Sequence, residues 1–412
     1  MSKSSFRKIR CAILQCQNAE EGEGIWAACG VNEAHVGMTA TETITSNPRV
    51  LGADPLVRYQ PAKDGKEEIP GGIGEEDIVY IVLPYIHSAR EGVKRLGSLL
   101  EQYGTYEMNG IAFQDADEIW WLETIGGHHW IARKVPDDVY VMMPNQFGMD
   151  QFDLEDALSN QKEYMCSADL KEFVEKYHLN LSQDGTFNPR DIFGSHDDSD
   201  HVYNTPRAWY MARCLNPSTM NWDGPDADFT PLSDDIPWCM VPEKKVTIED
   251  VKYVLSSHFQ GTPYDPYASY GDKSMKGAYR AIGVNRTDFL GIIQMRPDAG
   301  EDSRAIEWVA FASNVFNTAV PFYTDVEKVP EYFSNTTGDA STDNFYWASR
   351  ISQPWQMLLI VNPFSILNVI RKGSCQKDMN ISINMMNFCQ KKATQKNVCS
   401  FVRRQMKKSL TW

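Results

Sequence analysis

Short apolar runs alternate with polar turn clusters between residues 18 and 351, and each run predicts one buried element. Ile119–Leu122 and Val139–Met143 are such runs, and turn formers such as Pro136 and Asp137 separate them, so both segments are predicted to be strands. Strand runs occur in both halves of this region, whereas helical patterns fall into two clusters and do not follow every strand. This distribution favours an antiparallel α+β fold over repeated strand-helix-strand units.

Two segments carry the apolar spacing of a helix. From His87 to Tyr103 the apolar residues recur every three or four positions and the charges lie largely on the opposite side, which predicts an amphipathic helix. A second helix is predicted after Thr247, which suits a cap, with Asp250 in its first turn. The predicted apolar face of the first helix consists of Ala89, Val93, Leu96, Leu99, Leu100 and Tyr103.

Polar segments interrupt these elements. Arg58–Glu68 is predicted to be a surface insertion. Ser195–His201 holds three aspartates and two histidines, which raises metal ligation as an alternative, but no fixed spacing supports a metal centre and a loop is the favoured interpretation. No metal or other cofactor is predicted.

The charge distribution limits the classes of partner. The 412 residues carry a net charge of −15, yet residues 1–17 hold four basic residues and no acid, and residues 352–412 hold ten basic residues and one acid. The acidic body argues against nucleic acid as a partner, while the basic ends could be arms for RNA or anionic membrane, or could come from another reading frame. No apolar run is long enough for a membrane span or a signal peptide, and the nine cysteines form no CxxC pair, so free thiols in the cytoplasm are expected.

A series of motifs resembles one enzyme family. Residues 30–44, GVNEAHVGMTATETI, closely resemble the GINExNVxMSATET segment of the PepD-like cysteine dipeptidases, which are relatives of the secernins and bile-salt hydrolases in the N-terminal-nucleophile (Ntn) hydrolase superfamily. Further blocks follow in the family's order across most of the chain: residues 52–56, 72–77, 83–92, 109–113, 120–123, 127–130, 144–146, 203–207, 261–267, 283–287 and 321–323.

The resemblance implies a fold and a reaction. The fold is an αββα sandwich of two antiparallel sheets, here expected to lack its first strands, and the reaction is hydrolysis of dipeptides. The nucleophile in that superfamily is the first residue of the mature chain, expected to be cysteine. Its free α-amine, with an ordinary pKa of about 8, takes the thiol proton and later returns it to the leaving amine.

Family position also suggests three site residues. Asn145 is a candidate oxyanion-holding or substrate-orienting amide, with a plain turn residue after Pro144 as the alternative. Arg207 is a candidate charged group near the nucleophile, with a surface arginine or an ion-paired arginine as the alternative. Glu42 stands where bile-salt hydrolases carry asparagine, so it is expected to meet the free amine of the substrate instead of an oxyanion.

Other reactive residues are given structural roles. His128 and His129 are expected to point to opposite faces of a strand, which disfavours joint metal ligation. Trp120, Trp121 and Trp130 are expected in the core. The remaining candidates are thiols: Cys11 and Cys16 are internal and have no α-amine, and Cys29 is interpreted as a small buried residue.

Neither the family's Cys-Thr-Thr start nor its Arg-x-Glu-Asp motif precedes Gly24. Read from the third base of each codon, residues 6–17 permit PENSMRYTSVP, and residues 352–372 permit AAMADASYSKPIQHFERYQE, an acid-containing amphipathic pattern. We therefore expect a frame-shifted segment at 1–17, a truncated Ntn dipeptidase domain at 18–351 and a frame-shifted basic tail at 352–412. The DNA sequence tests this expectation.

Three functions follow as alternatives. The first is a cysteine dipeptidase by ancestry, acting on a dipeptide substrate but inactive in this literal chain because the nucleophilic cysteine is absent. The second is a non-catalytic binding or regulatory protein that retains the pocket, and the third is an amide acylase of the bile-salt hydrolase type. A homo-oligomer is compatible with each of them.

Overall fold

The computed structural model describes residues 13–17, 26–39, 42–284, 287–311, 318–324, 326 and 328–351. They fall into two compact units, one built mainly from residues 23–246 and the other mainly from residues 247–294 and 306 onward. Within the described ranges, no helix has both the length and the apolar character needed to cross a membrane.

The described residues of the first unit form ten strands and eight α-helices. Its strands are β1 Ile13–Gln17, β2 Ala27–Asn32, β3 Gly37–Thr39, β4 Glu42–Thr43, β5 Asn109–Gln114, β6 Ile119–Ile125, β7 His129–Lys134, β8 Tyr140–Val141, β9 Tyr164–Cys166 and β10 Cys239–Met240. Its helices are α1 Pro48–Ala53, α2 Glu75–Val82, α3 Ala89–Tyr103, α4 Leu154–Leu158, α5 Leu170–Lys176, α6 Pro189–Phe193, α7 Asp200–Tyr203 and α8 Thr205–Leu215.

Eight of these strands form one antiparallel sheet. Its order is β1-β2-β3-β5-β6-β7-β9, and β4 continues the line of β3 by pairing with the other half of β5. Strands β8 and β10 make a separate two-stranded sheet. The predicted α+β class with antiparallel pairing is therefore confirmed. The predicted strand at Val139–Met143 shortens to Tyr140–Val141.

Helix α3 covers one face of the large sheet. The Ser88 side chain caps it by accepting a hydrogen bond from the Glu91 amide, and Asp115 accepts one from the Ala89 amide at 2.7 Å. Its buried residues pack with α2 against Ile111, Phe113, Trp120, Leu122 and Trp130 of the sheet. The helix predicted for this segment is confirmed, except that Tyr103, expected on the apolar face, is 38% exposed.

The opposite face of the sheet carries a second core. Trp121, Ile125 and Ile131 pack there with Phe147, Phe193 and Trp238. All three tryptophans of β6 and β7 are buried, as predicted. The predicted surface insertion Arg58–Glu68 is exposed throughout.

The second unit is smaller. It contains helix α9 Ile248–Leu255, strands β11 Phe289–Met295, β12 Ala305–Phe311 and β13 Val320–Tyr323 in that sheet order, and helix α10 Glu331–Ser334. The predicted start of α9 is confirmed, because Thr247 and Asp250 form a capping box. Ile248, Val251 and Leu255 of α9 pack on Leu290 and Ile292 of β11.

Close packing of α3 on the sheet gives a direct test. A Cβ at Gly97 would overlap the indole ring of Trp130, whereas a Cβ at Gly52 in α1 would meet no atom within 4 Å. We expect Gly97→Ala to lower the free energy of unfolding by about 1–3 kcal/mol through overpacking, and Gly52→Ala to leave it unchanged or raise it by up to about 1 kcal/mol. Urea unfolding measures both. Equal stability of the two variants would contradict the packing.

Candidate active site

Asn145 lies in a bend whose backbone needs an unusual conformation. Its φ is +66°, a left-handed value that asparagine adopts more readily than most residues. Its Nδ2 atom donates a hydrogen bond to the carbonyl oxygen of Thr43 in β4 at 3.0 Å. The side chain is thereby tied to a strand about a hundred residues earlier in the sequence.

Arg207 donates a hydrogen bond to the oxygen of the Asn145 side-chain amide. It stands in the first turn of α8 and is 8% exposed. Its Nη2 atom donates to the Oδ1 atom of Asn145 at 2.8 Å, to the Pro144 carbonyl at 2.7 Å and to the Oδ1 atom of Asn204 at 2.7 Å, while Nε donates to the Tyr203 carbonyl. The arginine is thus a buried donor that orients Asn145, and its predicted alternative as a surface arginine is wrong.

The network continues into the polar segment before α8. Asn204 donates from Nδ2 to Asp200 at 2.5 Å, and Asp200 in turn accepts from the Ser195 hydroxyl at 2.9 Å and the Asp197 amide at 3.1 Å. Asp200 is buried. The loop predicted for 195–201 therefore ends at Ser199, because Asp200 and His201 belong to α7, and Asp200 supports Arg207 through Asn204. Among the described residues, no group of three acidic, histidine or cysteine residues could hold a metal ion.

Glu42 is the third candidate. It lies in β4 directly before Thr43, and its backbone pairs with Gly110 of β5. Gly110 pairs in turn with Glu123 of β6, so residues 42, 110 and 123 form one row across the sheet. The Glu42 side chain falls outside what the structure describes. The three residues predicted for the site nevertheless come from segments that meet at the end of β4.

Glu123 was missed by the sequence predictions. It is fully buried, and its Oε1 atom accepts hydrogen bonds from the amides of Gly148 at 2.8 Å and Met149 at 3.4 Å and from Trp121 Nε1 at 3.1 Å. Burial raises the pKa of Glu123 to about 7, against the lowering by these donors. The available signal was a lone acid inside the apolar run IWWLETI.

Arg190 was also missed. This buried arginine of α6 donates from Nη2 to the Gly148 carbonyl at 2.7 Å and from Nη1 to the carbonyls of Asp234 at 2.8 Å and Ile236 at 2.9 Å. Both polar groups of Gly148 are therefore held by buried charged side chains. A cavity of about 30 Å³ beside them has room for roughly one water molecule. It is lined by residues including Pro144, Gln146, Gly148, Arg190, Thr205 and Trp238.

The histidine pair corrects a prediction. His128 and His129 do not diverge: the Nδ1 atoms of both rings contact the Asp54 carboxylate, at 2.9 and 2.7 Å. Strand β7 begins only at His129, and His128 belongs to the preceding turn with Gly126 at φ +55°, so strand alternation does not apply. Burial raises the pKa of Asp54, but the hydrogen bonds from His129 and His128 outweigh it and lower that pKa to about 2. The pair has the structural role that was favoured.

Two of the described thiols, those of Cys166 and Cys214, are poor nucleophiles. Burial raises the pKa of Cys166 to about 12 and that of Cys214 to about 11, so both are almost fully protonated at neutral pH and are poor nucleophiles. Cys29 is buried in β2, as predicted. Cys11 lies outside the described residues, and only the backbone of Cys16 is described, in β1.

Comparison with known proteins supports the motif resemblance. The model of Peptidase family C69 matches residues 10–358. A dipeptidase of Bifidobacterium longum is 63% identical over 336 residues, which cover 81% of this chain and 63% of that protein. Probable dipeptidase A of Streptococcus pyogenes serotype M18 is 55% identical over 80% of this chain and 65% of its own length, and dipeptidase A of Lactobacillus helveticus is 45% identical over the same shares.

The chain spans slightly less than two thirds of the length of these curated relatives. The family match nevertheless covers most of it, including the segments that carry Asn145 and Arg207. This chain belongs to peptidase family C69.

Proposed function

We propose that the domain recognises dipeptides beside the Asn145 and Arg207 network and that it is the body of a cysteine dipeptidase. The hydrogen bond of Arg207 Nη2 to Asn145 Oδ1 carries the proposal, because it fixes a polarised amide at the end of β4. Membership of family C69, with relatives named dipeptidases, supports the substrate class.

Asn145 is suited to hold an oxyanion. Its Nδ2 atom carries two hydrogens, and one of them is engaged by the Thr43 carbonyl. The other is available for a substrate oxygen. Arg207 binds Oδ1 of the same amide, which sets the orientation of the Nδ2 donors and places positive charge behind them. Glu42, which precedes Thr43 in β4, supplies the negative charge for the free amine of a dipeptide.

The reaction that fits this arrangement uses an N-terminal cysteine. Its α-amine accepts the thiol proton, the sulfur attacks the carbonyl carbon, and the negative oxygen is held by amide donors. The carbon–nitrogen bond then breaks as the α-amine returns the proton to the leaving amine, and water hydrolyses the thioester that remains. The thiols of buried Cys166 and half-buried Cys214, whose pKa values are raised, do not compete for this role.

We extend the proposal to the architecture and the chain ends. Helices α2 and α3 on one face of the eight-stranded sheet, and a second core on its other face, are compatible with the αββα sandwich. We infer that residues 18–351 form the dipeptidase domain and that residues 1–17 and 352–412 are frame-shifted, although the family match runs from 10 to 358 and residues 13–17 pair with β2. Residues 1–12 and 352–412 lie outside the described part. Buried free thiols favour the cytoplasm. The DNA sequence tests the frame.

The test pairs this chain with a chimera in which the N-terminal segment of the Bifidobacterium longum relative, processed to begin with cysteine, precedes residue 26. We expect calorimetry to show dipeptide binding to both and hydrolysis by the chimera alone. Preference of the folded chimera for bile-salt amides would favour the acylase instead. Lack of dipeptide binding by both proteins would reject the site.

A further inference from the structure

The loop that carries Asn145 is held by two buried charged groups outside the proposed binding residues. Glu123 Oε1 accepts from the Gly148 amide at 2.8 Å, and Arg190 Nη2 donates to the Gly148 carbonyl at 2.7 Å. A third contact, from the Met149 amide to Glu123 at 3.4 Å, extends the hold by one residue. The peptide groups on either side of Gly148 are therefore fixed three residues after Asn145.

Close packing around Gly148 also restrains the loop. A Cβ at that position would crowd the Met143 sulfur and the Trp238 ring, at 2.6 and 2.7 Å, so the loop backbone passes close to the second core. Met143 also stands directly before Pro144, whose carbonyl accepts from Arg207. A shift of the Gly148 peptide is thus transmitted to the segment that Arg207 and Asn145 occupy.

Glu123 has one oxygen that the loop does not use. Its Oε2 atom is buried and has no hydrogen-bond partner among the described residues, while Oε1 takes all three N–H donors. A carboxylate accepts from amides more strongly than a neutral carboxylic acid does. A proton added at Oε2 would leave the geometry of the loop contacts in place and weaken them.

We propose that Glu123 is a positioning residue of the dipeptide site, whose ionised form holds the 144–149 loop tightly and whose protonated form loosens it. The proposal rests on the proposed function only for its link to dipeptides. Glu123 acts through Asn145 and is not itself a catalytic residue.

The pH range follows from the groups around the carboxyl. Burial raises the pKa of Glu123 from 4.5 to about 7, so the change falls near neutral pH. Arg190 is the charged group facing it from α6 and lowers this pKa, while β5 and β7 present Gly110 and Ile131 in the adjoining register positions. The remaining carboxyl in the row belongs to Glu42, beyond Gly110.

The direct test is amide hydrogen exchange in the ligand-free protein between pH 5.5 and 8.5, corrected for intrinsic exchange. We expect protection of the Gly148 and Met149 amides to fall roughly fivefold as pH drops through about 7, with the Ile131 amide of β7 as an internal reference. This measurement needs no variant. Absence of the step in the wild-type protein overturns the proposal.

The effect of Glu123 on the stability of the whole protein cannot produce this fall in protection. Because folding raises the pKa of Glu123, its contribution to stability is present below about pH 4.5 and is lost as pH rises through about 7. A whole-protein effect of this group would therefore increase protection at low pH. The expected loss of protection at low pH has the opposite sign.

Variants test whether Glu123 causes the pH-dependent change in amide exchange. Glu123→Gln keeps an acceptor at Oε1 but cannot titrate, so the step should disappear, whereas Glu42→Gln and the exposed control Glu163→Gln should retain it. Persistence of the step in Glu123→Gln contradicts the proposal.

Calorimetry of dipeptide binding completes the test. Affinity of the wild-type chain should fall roughly fivefold over the same pH range, and Glu123→Gln should show no such step. A pH-dependent exchange step without dipeptide binding at any pH would reject the proposed function and leave the loop role of Glu123 supported. Binding with a wild-type pH profile in Glu123→Gln would reject the positioning role and leave the proposed function intact.

Discussion

Replacing Asn145 with aspartate is expected to weaken dipeptide binding by this chain about a hundredfold, or roughly 2.7 kcal/mol. Aspartate tolerates the left-handed backbone at φ +66°, so the bend should survive. It has no N–H to offer, however, and it places a carboxylate oxygen against the Thr43 carbonyl that now accepts from Nδ2. It also pairs with Arg207 and neutralises the positive charge behind the site.

The rate of hydrolysis should fall at least as much as the affinity. In the chimera with an N-terminal cysteine, kcat/KM for dipeptides should fall by about 10²–10³, the usual effect of removing one oxyanion donor. Asn180→Asp is the matched control, because the Asn180 amide donates to Thr186 in an exposed loop at 3.1 Å. It should retain wild-type affinity and rate. An Asn145→Asp variant with wild-type affinity and turnover would show that this amide has no part in the site.

Replacing Arg190 with methionine is expected to lower the free energy of unfolding by about 3–5 kcal/mol. The change removes the donor to three carbonyls: those of Gly148 and Ile236, whose contacts are buried, and that of Asp234, whose contact is partly buried. It also takes away the positive charge that lowers the pKa of Glu123, so this carboxyl should remain protonated to a higher pH. Unsatisfied buried acceptors and an uncompensated buried acid act in the same direction.

Thermal unfolding followed by circular dichroism should show a midpoint lower by about 10 °C. Arg49→Met is the control, since Arg49 is exposed and its guanidinium makes a 3.4 Å contact with the Leu179 carbonyl. A change below about 1 kcal/mol is expected there. If Arg190→Met were as stable as Arg49→Met, the two charged groups would not be what holds the Gly148 peptide.

Local features could be predicted because their causes are local. The spacing of apolar residues and the cap at Ser88 are both present within residues 88–103, so α3 could be recognised from that segment alone. The same is true of the Thr247 and Asp250 box at the start of α9. The prediction for His128 and His129 was wrong because one residue decides it: Gly126 starts a turn that keeps His128 out of the strand, and both rings then reach Asp54.

The sequence by itself determined the antiparallel α+β class, the main amphipathic helix and, through its ordered motifs, the family. It also marked Glu42, Asn145 and Arg207, but as separate residues. Only the tertiary structure decided that Asn145 bridges Thr43 and Arg207, contacts that span 102 and 62 residues. It alone placed Glu123 on the amide and Arg190 on the carbonyl of one glycine, Gly148. Hydrogen bonds of this kind depend on strand register and side-chain direction, which no local stretch of sequence contains.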